Sequence, residues 1–224
     1  MDIELLQIIN GSHSLFIDNV VVTLTSGITW IPFYIALLYL VIRNNETMAQ
    51  VAVVIGCAAM CVLITSCVTD LIVKPLVARP RPTMEPSLKY TIDIVNGIRG
   101  TGYSFFSAHA ANTFGIAILL SLIVRSRLLA IFLILWSLIN GYTRLYLGVH
   151  YPSDVLVGLL FGAVVGVASY LTYLHFYAKV SPRLNYISTK YTKTGYSLTD
   201  IDVAISVLVL TFLYAIIRAV VIDI

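Results

Sequence analysis

Residues 49–73 read AQVAVVIGCAAMCVLITSCVTDLIV, and Asp70 is the one charged side chain in this run. A helix needs roughly 17–25 mainly apolar residues to cross a bilayer, so the stretch predicts a transmembrane helix. Of the 224 residues in the chain, 59% are hydrophobic and 11% are charged, whereas ordinary soluble domains are about 45–50% apolar and about 25% charged. The composition excludes a disordered chain, a disulfide scaffold and a typical soluble domain.

Similar apolar blocks lie on both sides of this helix and predict six transmembrane helices, over residues 27–43, 49–73, 106–124, 128–147, 152–177 and about 200–222. Asp200 is the expected N-cap of the last span. The amphipathic segment 14–26 predicts an interfacial helix that enters the first span, and the alternative is one long tilted helix over 14–43. We therefore expect one all-α integral membrane domain over residues 1–224, with an extramembrane loop over 74–104 that covers the site.

The positive charges indicate the orientation in the membrane. Six spans place the loops 74–104 and 144–151 on the side of the N-terminus, with six Lys and Arg residues there against seven on the other side. Three of the six positively charged residues belong to the group of side chains that is interpreted below as a functional site. Without them the ratio is seven to three, so the positive-inside tendency places these loops outside the cytoplasm. The net charge of +3, with no basic run, gives no indication of a nucleic-acid partner.

The N-terminus, the cysteines and the glycines of the sequence each give one further expectation. No basic region precedes an apolar stretch at the N-terminus, so we expect no cleaved signal peptide. The cysteines fall in one predicted helix, match no zinc-site spacing and are expected to be apolar packing residues: Cys57, Cys61 and Cys67. Glycines that recur every four residues predict a close helix contact: Gly158, Gly162 and Gly166.

The first of three polar clusters is KPLVARPRP at 74–82, which ends the second span. It contains Lys74, Arg79 and Arg81. Alternating Arg and Pro residues give a stiff, extended backbone that cannot continue a helix. Such a segment can direct fixed positive charge at an anion, and the alternative is a set of cationic anchors at the membrane interface.

The second cluster is YSFFSAH at 103–109, which begins the third span. Ser107 is the expected N-cap, and a helix N-terminus favours a bound phosphate through its free N–H groups and its dipole. His109 lies in the first turn, where its imidazole can transfer a proton near pH 7. The alternative for His109 is an interfacial side chain that makes one hydrogen bond.

The third cluster is TRLYLGVHYPSD at 143–154, between the fourth and fifth spans. Pro152 suits the first position of a helix. Asp154 follows His150 by four residues, where it can accept the Nδ1–H of the ring and leave Nε2 free as a nucleophile. Arg144 is a permanent cation suited to bidentate phosphate binding. All three clusters fall on one side of the bilayer, so we expect them to form one site.

Two of these clusters resemble motifs of the type 2 phosphatidic acid phosphatase (PAP2) superfamily. Lys74, six residues and then Arg81-Pro82 is similar to the first motif. Thr143-Arg144, five residues, His150, three residues and Asp154 is similar to the third motif, with Thr143 where Ser is usual. The motif-bearing region covers about 70–160.

The second cluster is similar to the remaining motif of the superfamily, which is usually Pro-Ser-Gly-His. Here Phe106 replaces the Pro and Ala108 replaces the Gly, while Ser107 and His109 are retained. Ala adopts a positive φ less easily than Gly, so we expect ordinary helical geometry at this turn.

The resemblance implies a metal-independent phosphatase without a cofactor. By analogy, His150 attacks phosphorus to give a phosphohistidine, Asp154 holds the ring tautomer and His109 protonates the leaving oxygen. The phosphoryl oxygens would be bound by Lys74, Arg81, Ser107 and Arg144. Fixed cations can supply the charge stabilisation that phosphoryl transfer requires, and Asp154 is the only acid within the motifs, so we expect no metal site.

Residues beside the motifs leave some choices open. Asp70 lies one helical turn before Lys74, where it either pairs with the lysine or marks the membrane interface. Three tyrosines are predicted to belong to an interfacial aromatic belt, namely Tyr103, Tyr146 and Tyr151. Substrate selectivity is expected to depend on the loop 83–103, which carries Lys89, Tyr90 and Arg99.

The resemblance and the composition together predict a lipid phosphatase of the bacterial inner membrane, with its site facing the periplasm. Undecaprenyl diphosphate is the first-choice substrate. The alternative is lipid A or a glycerophospholipid phosphate, such as phosphatidic acid or phosphatidylglycerophosphate. A non-catalytic lipid-phosphate binder or transporter is a further alternative. We expect membrane lipids as partners and no obligatory protein partner.

Overall fold

The structure is a computed structural model that describes residues 2–12, 14–88, 90–181 and 189–222. Within these ranges the regular elements are helices, apart from one isolated bridge between Tyr191 and Ser197, so the predicted all-α class is confirmed. The α-helices are α1 (Asp2–Ile9), α2 (Leu15–Thr25), α3 (Ile31–Arg43), α4 (Met48–Cys67), α5 (Lys74–Val77), α6 (Ala108–Val124), α7 (Arg127–Tyr146), α8 (Pro152–Val180) and α9 (Leu198–Ile222).

Four helical segments of the described chain are long and apolar enough to cross a membrane, and they begin at Met48, Arg127, Pro152 and Leu198. A fifth span results if α2 and the segment Gly27–Arg43 are counted together, and the apolar helix α6 is shorter, with 17 residues. The membrane location is therefore clear from the helices, and the number of six spans stays a prediction.

The segment 14–43 is not one long helix. A bend of 67° separates α2 from the segment Gly27–Arg43, because Ser26 is extended, with φ −75° and ψ 125°. Two side chains close this corner: Thr29 Oγ1 donates to the Thr23 carbonyl at 2.6 Å and Trp30 Nε1 donates to the Leu24 carbonyl at 2.8 Å. The alternative of a continuous helix is therefore wrong. The interfacial placement of α2 stays a prediction, and α2 packs against α7 and α9.

The second span is longer than predicted. Helix α4 continues through a π-helical turn at Val68–Val73 into α5, and the chain leaves the helix at Ala78, whose φ is +48°. Short 3₁₀ turns then carry the extramembrane loop at Pro82–Met84, Pro86–Leu88 and Val95–Gly97.

The predicted glycine face of α8 forms the close contact with α6. A Cβ on Gly158 would lie 2.6 Å from the Ser107 carbonyl oxygen, and a Cβ on Gly166 would lie 2.6 Å from the Gly115 carbonyl oxygen. A Cβ on Gly162 would overlap the Ala111 carbonyl. Only glycine permits this backbone approach, which brings the first turns of α6 and α8 together at one end of the bundle.

The apolar core lies away from that end. Trp136 packs edge-on against Trp30 and Phe33, and Trp30 packs in the same way against Phe212. Cys57 and Cys61 are buried and unbonded to sulfur, as expected for packing residues, whereas Cys67 is exposed.

The predicted N-cap role of Asp200 is wrong. Helix α9 begins at Leu198, so Asp200 lies inside its first turn. Its carboxylate accepts hydrogen bonds from Tyr39 Oη at 3.2 Å and Asn44 Nδ2 at 3.1 Å. The reason is the turn that precedes the helix, which the Tyr191–Ser197 bridge closes immediately before α9.

Candidate active site

His150 lies in the short connection between α7 and α8 and is 3% exposed. Its Nε2 is 3.3 Å from Arg81 Nη1, and its Nδ1 is 3.5 Å from Asp154 Oδ2. Burial lowers the pKa of His150 to about 4, with Arg81 and Arg144 acting in the same direction and Asp154 opposing them. The imidazole is therefore neutral near pH 7, which is the protonation state of a nucleophile.

Asp154 is fully buried in the first turn of α8, and Pro152 occupies the first helical position as predicted. Its Oδ1 accepts a hydrogen bond from Arg79 Nη1 at 2.7 Å. Its Oδ2 accepts hydrogen bonds from the Tyr151 backbone N–H at 3.0 Å and from Ser104 Oγ. The distance of 3.5 Å to His150 Nδ1 exceeds that of a hydrogen bond, so Asp154 lies beside the ring without the predicted bond.

Arg81 is held by the backbone of the loops around it. Its Nε donates to the carbonyls of Thr101 at 3.0 Å and Gly102 at 3.3 Å, and its Nη1 donates to the Val149 carbonyl at 3.0 Å. A Cβ on Gly100 would overlap the Arg81 side chain. Burial lowers the pKa of Arg81, with Asp154 and Asp70 opposing this shift. The contacts fix the guanidinium against His150.

Arg144 is less completely bonded. Its Nη1 donates to Thr25 Oγ1 at 2.6 Å, at the corner between α2 and α3. Its Nε is buried and has no hydrogen-bond partner. A buried donor without an acceptor costs about 1–3 kcal/mol, and more for a charged group. An anion bound at Arg144 would remove this cost.

Lys74 pairs with Asp70. The Nζ of Lys74 is 2.6 Å from Asp70 Oδ1, and the lysine side chain is 15% exposed whereas the aspartate side chain is 49% exposed. Of the two alternatives considered for Asp70, the structure shows the pairing. The pair holds the ammonium group at the end of the helix where α5 begins.

The N-terminus of α6 has the expected geometry. Ser107 is its N-cap, with Oγ accepting from the Ala110 N–H at 3.4 Å, and Ala108 begins the helix with ordinary helical geometry. The Ser107 N–H donates to the Asp154 carbonyl oxygen at 3.1 Å. His109 is exposed on the first turn, and the ionisable groups close enough to act on it electrostatically are Arg144, His150, Lys74 and Arg81.

All seven predicted site residues therefore lie at one end of the bundle. His150, Asp154 and Arg81 are in direct contact or nearly so, and Ser107 joins them through the backbone of Asp154. Lys74 and Arg144 have their direct contacts with other residues, Asp70 and Thr25. Their catalytic and binding roles remain predictions.

Sequence reasoning missed four residues that hold this site. Arg79 was noted only as a cation, and its bond to Asp154 spans 75 positions of the chain. The hydroxyl of Ser104 reaches Asp154 as well, and Thr25 and Asp2 contact Arg144 and Arg79. The Arg-Pro alternation was a signal for Arg79, while long sequence separation hid the other three.

The aromatic-belt prediction is wrong for two of its three tyrosines. Tyr146 and Tyr151 are 1% and 4% exposed, while Tyr103 is 44% exposed. The Tyr146 hydroxyl donates to Asp18 Oδ1 at 2.5 Å, and the Tyr151 ring lies 3.7 Å below the guanidinium carbon of Arg79. Both rings are buried because they pack in apolar clusters, Tyr146 with Val21 and Val95, and Tyr151 with Leu6 and Leu88. In the selectivity loop, Tyr90 and Arg99 are exposed and Lys89 lies outside the described residues.

A cavity of about 580 Å³ lies between the α2–α3 corner and α9. The corner contributes Ser26, Ile28, Thr29 and Pro32 to its walls, and α9 contributes residues from Val207 to Arg218.

Among the residues that the structure describes, no group of three or more His, Cys, Asp and Glu side chains is arranged to bind a metal ion.

Residues 49–178 match the profile of the PAP2 superfamily. The chain belongs to this superfamily. It is a phosphatase, a phosphoric monoester hydrolase embedded in a membrane, rather than a non-catalytic binder or transporter. The matched range contains all three motifs and all seven predicted site residues.

Known PAP2 relatives act on different lipids. A protein named lipid A 4'-phosphatase from Bacteroides thetaiotaomicron is 39% identical over 167 residues, which are 74% of each chain. Its namesake from Porphyromonas gingivalis is 29% identical over 75% of this chain and 70% of that protein. Undecaprenyl-diphosphatase BcrC from Bacillus subtilis is 24% identical over 74% of this chain and 81% of that protein.

A solved structure shares the PAP2 arrangement. The crystal structure of Aquifex aeolicus LpxE superposes with a TM-score of 0.55 and 26% sequence identity, over 75% of this chain and 93% of that one.

Proposed function

We propose that this protein hydrolyses a phosphate monoester of lipid A through a phosphohistidine on His150 and releases inorganic phosphate. The substrate proposal is supported by the identity of 39% to a lipid A 4'-phosphatase over 74% of both chains. The similarity to an undecaprenyl-diphosphatase is weaker, at 24%. The relatives thus favour the alternative from the sequence over undecaprenyl diphosphate, the first choice.

The geometry around His150 carries the chemical part of the proposal. The neutral ring directs Nε2 toward Arg81, at 3.3 Å from its Nη1, and the buried Nε of Arg144 has no partner. A phosphoryl group between them would accept hydrogen bonds from both arginines. Lys74 and the Ser107 hydroxyl, whose oxygen already accepts from Ala110, have protons left to donate to the remaining phosphoryl oxygens.

The reaction then has two steps. His150 Nε2 attacks phosphorus, the P–O bond to the lipid breaks, and His109 gives its proton to the departing sugar oxygen. Asp154 stabilises the charge on the phosphorylated ring. Water next attacks phosphorus while His109 takes its proton, the N–P bond breaks, and inorganic phosphate leaves. The fixed cations stabilise the charge on the phosphoryl oxygens in both steps.

The cavity at the α2–α3 corner suits the apolar part of a lipid. Its mainly apolar walls come from this corner and from α9, and Ser26 in these walls directly follows Thr25, the residue that contacts Arg144. We propose that acyl chains of the substrate enter here while the phosphate reaches Arg144. In this proposal residues 1–224 act as one phosphatase domain of the bacterial inner membrane, with the site facing the periplasm.

The substrate proposal is tested by measuring phosphate release from purified lipids with the wild-type protein and with His150→Ala. We expect the highest kcat/KM on lipid A, lower values on undecaprenyl diphosphate, phosphatidic acid and phosphatidylglycerophosphate, and no release with His150→Ala. A preference for undecaprenyl diphosphate would overturn the substrate and leave the chemistry intact.

The orientation is tested separately in spheroplasts. Ser87 is exposed in the extramembrane loop, so Ser87→Cys should react with a thiol reagent that does not cross membranes, in a background without the native cysteines. A reporter fused after Arg125 should behave as cytoplasmic. The opposite pattern would place the site on the cytoplasmic face.

A further inference from the structure

The N-terminal helix α1 reaches the catalytic carboxylate through one arginine. Arg79 Nη2 donates to Asp2 Oδ2 at 2.8 Å, and Arg79 Nη1 donates to Asp154 Oδ1 at 2.7 Å. Asp2 also accepts from the backbone N–H of Ser153 at 3.0 Å and from its hydroxyl at 2.7 Å. Asp2, Arg79 and Asp154 therefore form a continuous chain of charge-assisted hydrogen bonds.

Packing holds α1 in the position that this chain requires. Leu6 of α1 is fully buried in a cluster with Leu88, Ile92 and Tyr151. At the end of α1, Asn10 Nδ2 donates to the Tyr146 carbonyl at 2.8 Å. Helix α1 thus contacts both the extramembrane loop and the segment that carries His150.

The two oxygens of Asp154 have different partners. Oδ1 is bound by Arg79, and Oδ2 is the oxygen that lies 3.5 Å from His150 Nδ1. The orientation of the carboxylate therefore depends on Arg79 at Oδ1 together with the Tyr151 N–H and the Ser104 hydroxyl at Oδ2. Arg79 is in turn fixed by Asp2 on one side and by the Tyr151 ring, 3.7 Å away, on its face.

The charges of the chain alternate in sign. Asp154 is fully buried, and Arg79 gives it a cation. Burial raises the pKa of Asp2, but its hydrogen bonds with Arg79 and Ser153 outweigh burial and leave that pKa lowered. Asp2 is therefore ionised near pH 7. Arg79 lies between two carboxylates, so its single positive charge is shared by Asp2 and Asp154.

We propose that Asp2 is a positioning residue of the phosphatase. It holds Arg79 and Ser153, and through Arg79 it sets the orientation and charge of Asp154 beside the nucleophile. This role rests on the proposed function, since it requires His150 to be the nucleophile. Asp2 lies 151 positions before Ser153 of the third cluster and belongs to none of the three motifs.

The first test compares Asp2→Asn with Glu4→Gln, an exposed acid on the same helix. Misplacing a catalytic group by about 1 Å can cost about 10²-fold in rate. We expect Asp2→Asn to lower kcat and the rate of phosphohistidine formation about 10-fold, with KM unchanged within about twofold. Glu4→Gln should match the wild type. A change in KM alone would overturn the positioning role.

The second test is a double-mutant cycle with Arg79→Gln. If Asp2 acts through Arg79, then adding Asp2→Asn to Arg79→Gln should cause no further loss beyond about twofold. If Arg79→Gln folds poorly, Arg79→Lys replaces it in the cycle, because lysine keeps the positive charge but lacks the two Nη atoms that bind Asp2 and Asp154. Thermal unfolding in detergent shows which variants are folded. A full additional 10-fold loss in the double variant would show that Asp2 acts independently of Arg79 and would overturn the inference.

The outcomes separate this inference from the proposed function. A wild-type protein that forms no phosphohistidine would refute the proposed mechanism and the role of Asp2 with it. A wild-type protein that forms phosphohistidine on His150, together with an Asp2→Asn variant that matches Glu4→Gln, would refute the role of Asp2 alone.

Discussion

Arg81 and Arg144 are both expected to bind phosphate, yet their surroundings differ. Arg81 donates to three backbone carbonyls and lies against His150 Nε2. Arg144 donates to one hydroxyl, that of Thr25, and its buried Nε has no acceptor. The first arginine is held in place before substrate binds, and the second has one buried donor, its Nε, that a bound phosphate would satisfy.

The same difference extends to the residues around each arginine. The saturated part contains Arg81, His150, Asp154 and Arg79; the first three are buried, Arg79 is partly exposed, and hydrogen bonds join Arg79 to Asp154 and Arg81 to His150. The open part contains Arg144, Lys74 and His109: the Nε of Arg144 has no partner, Lys74 pairs with Asp70, and His109 is exposed. We propose that the saturated part fixes the nucleophile and that the open part receives the phosphate and its leaving group.

The largest expected effect separates the histidines of the two parts. His150→Ala should abolish turnover and phosphoenzyme on every substrate, because it removes the nucleophile. His109→Ala removes the proton donor, so it should lose about 10²–10⁴-fold on a lipid monoester and much less on nitrophenyl phosphate, whose leaving group needs no proton. Phosphoenzyme trapping with both substrates checks this. Equal losses in the two variants, or phosphoenzyme in His150→Ala, would contradict the assignment.

Substitutions of the two arginines should also have different effects on stability and activity. Arg81→Gln leaves backbone carbonyls unpaired, so the free protein should melt lower, by about 2–4 °C for each kcal/mol lost, and kcat should fall. Arg144→Gln removes an unsatisfied donor, so the melting temperature of the free protein should stay the same or rise. In that variant KM should increase, and phosphate should no longer raise the melting temperature. Equal melting shifts in the free proteins would remove the distinction between the two parts.

A smaller effect is expected from filling the cavity beside the open part. Val207→Trp would occupy space that we assign to acyl chains, so KM for the lipid substrate should rise about 10-fold, which corresponds to about 1.4 kcal/mol. Activity on nitrophenyl phosphate should not change. Val209→Trp, an exposed position on the same helix and outside the cavity walls, is the matched control. Equal effects of both variants would argue against a lipid site here.

The smallest effect should follow removal of divalent metals. Lys74, Arg81 and Arg144 are the proposed source of positive charge in both parts of the site, so activity should survive EDTA. Complete loss with EDTA and recovery with Mg²⁺ would show that a metal supplies charge that we assign to the arginines.

Local sequence patterns predicted the parts of this site that depend on short spacings. Ser107 at the start of α6, Pro152 at the start of α8 and Asp154 one turn after His150 all follow from positions within a few residues of one another. The glycines of α8 predicted the α6 contact for the same reason, since helical periodicity places them on one face.

Contacts across long sequence distances could not be predicted in this way. Asp2 and Arg79 are 77 positions apart, and no periodicity relates them. The boundary near Ser26 was predicted, between the amphipathic segment 14–26 and the first span, but the bend of 67° was not, because it depends on side chains that bond to backbone carbonyls. The start of α9 was displaced from Asp200 by a turn closed through an isolated bridge, which the sequence does not mark.

The glycine contact between α6 and α8 has a consequence for how the substrate specificity of such an enzyme can change. It fixes the backbone of Ser107, beside the proposed proton donor His109, to the backbone of Asp154, beside the proposed nucleophile His150. The spacing between the two sides of the scissile bond is therefore set by a rigid pair of helices. A new lipid headgroup can then be accommodated only by the walls around this pair, which are the extramembrane loop and the α2–α3 corner. These walls can vary while the distance across the reacting phosphate stays constant.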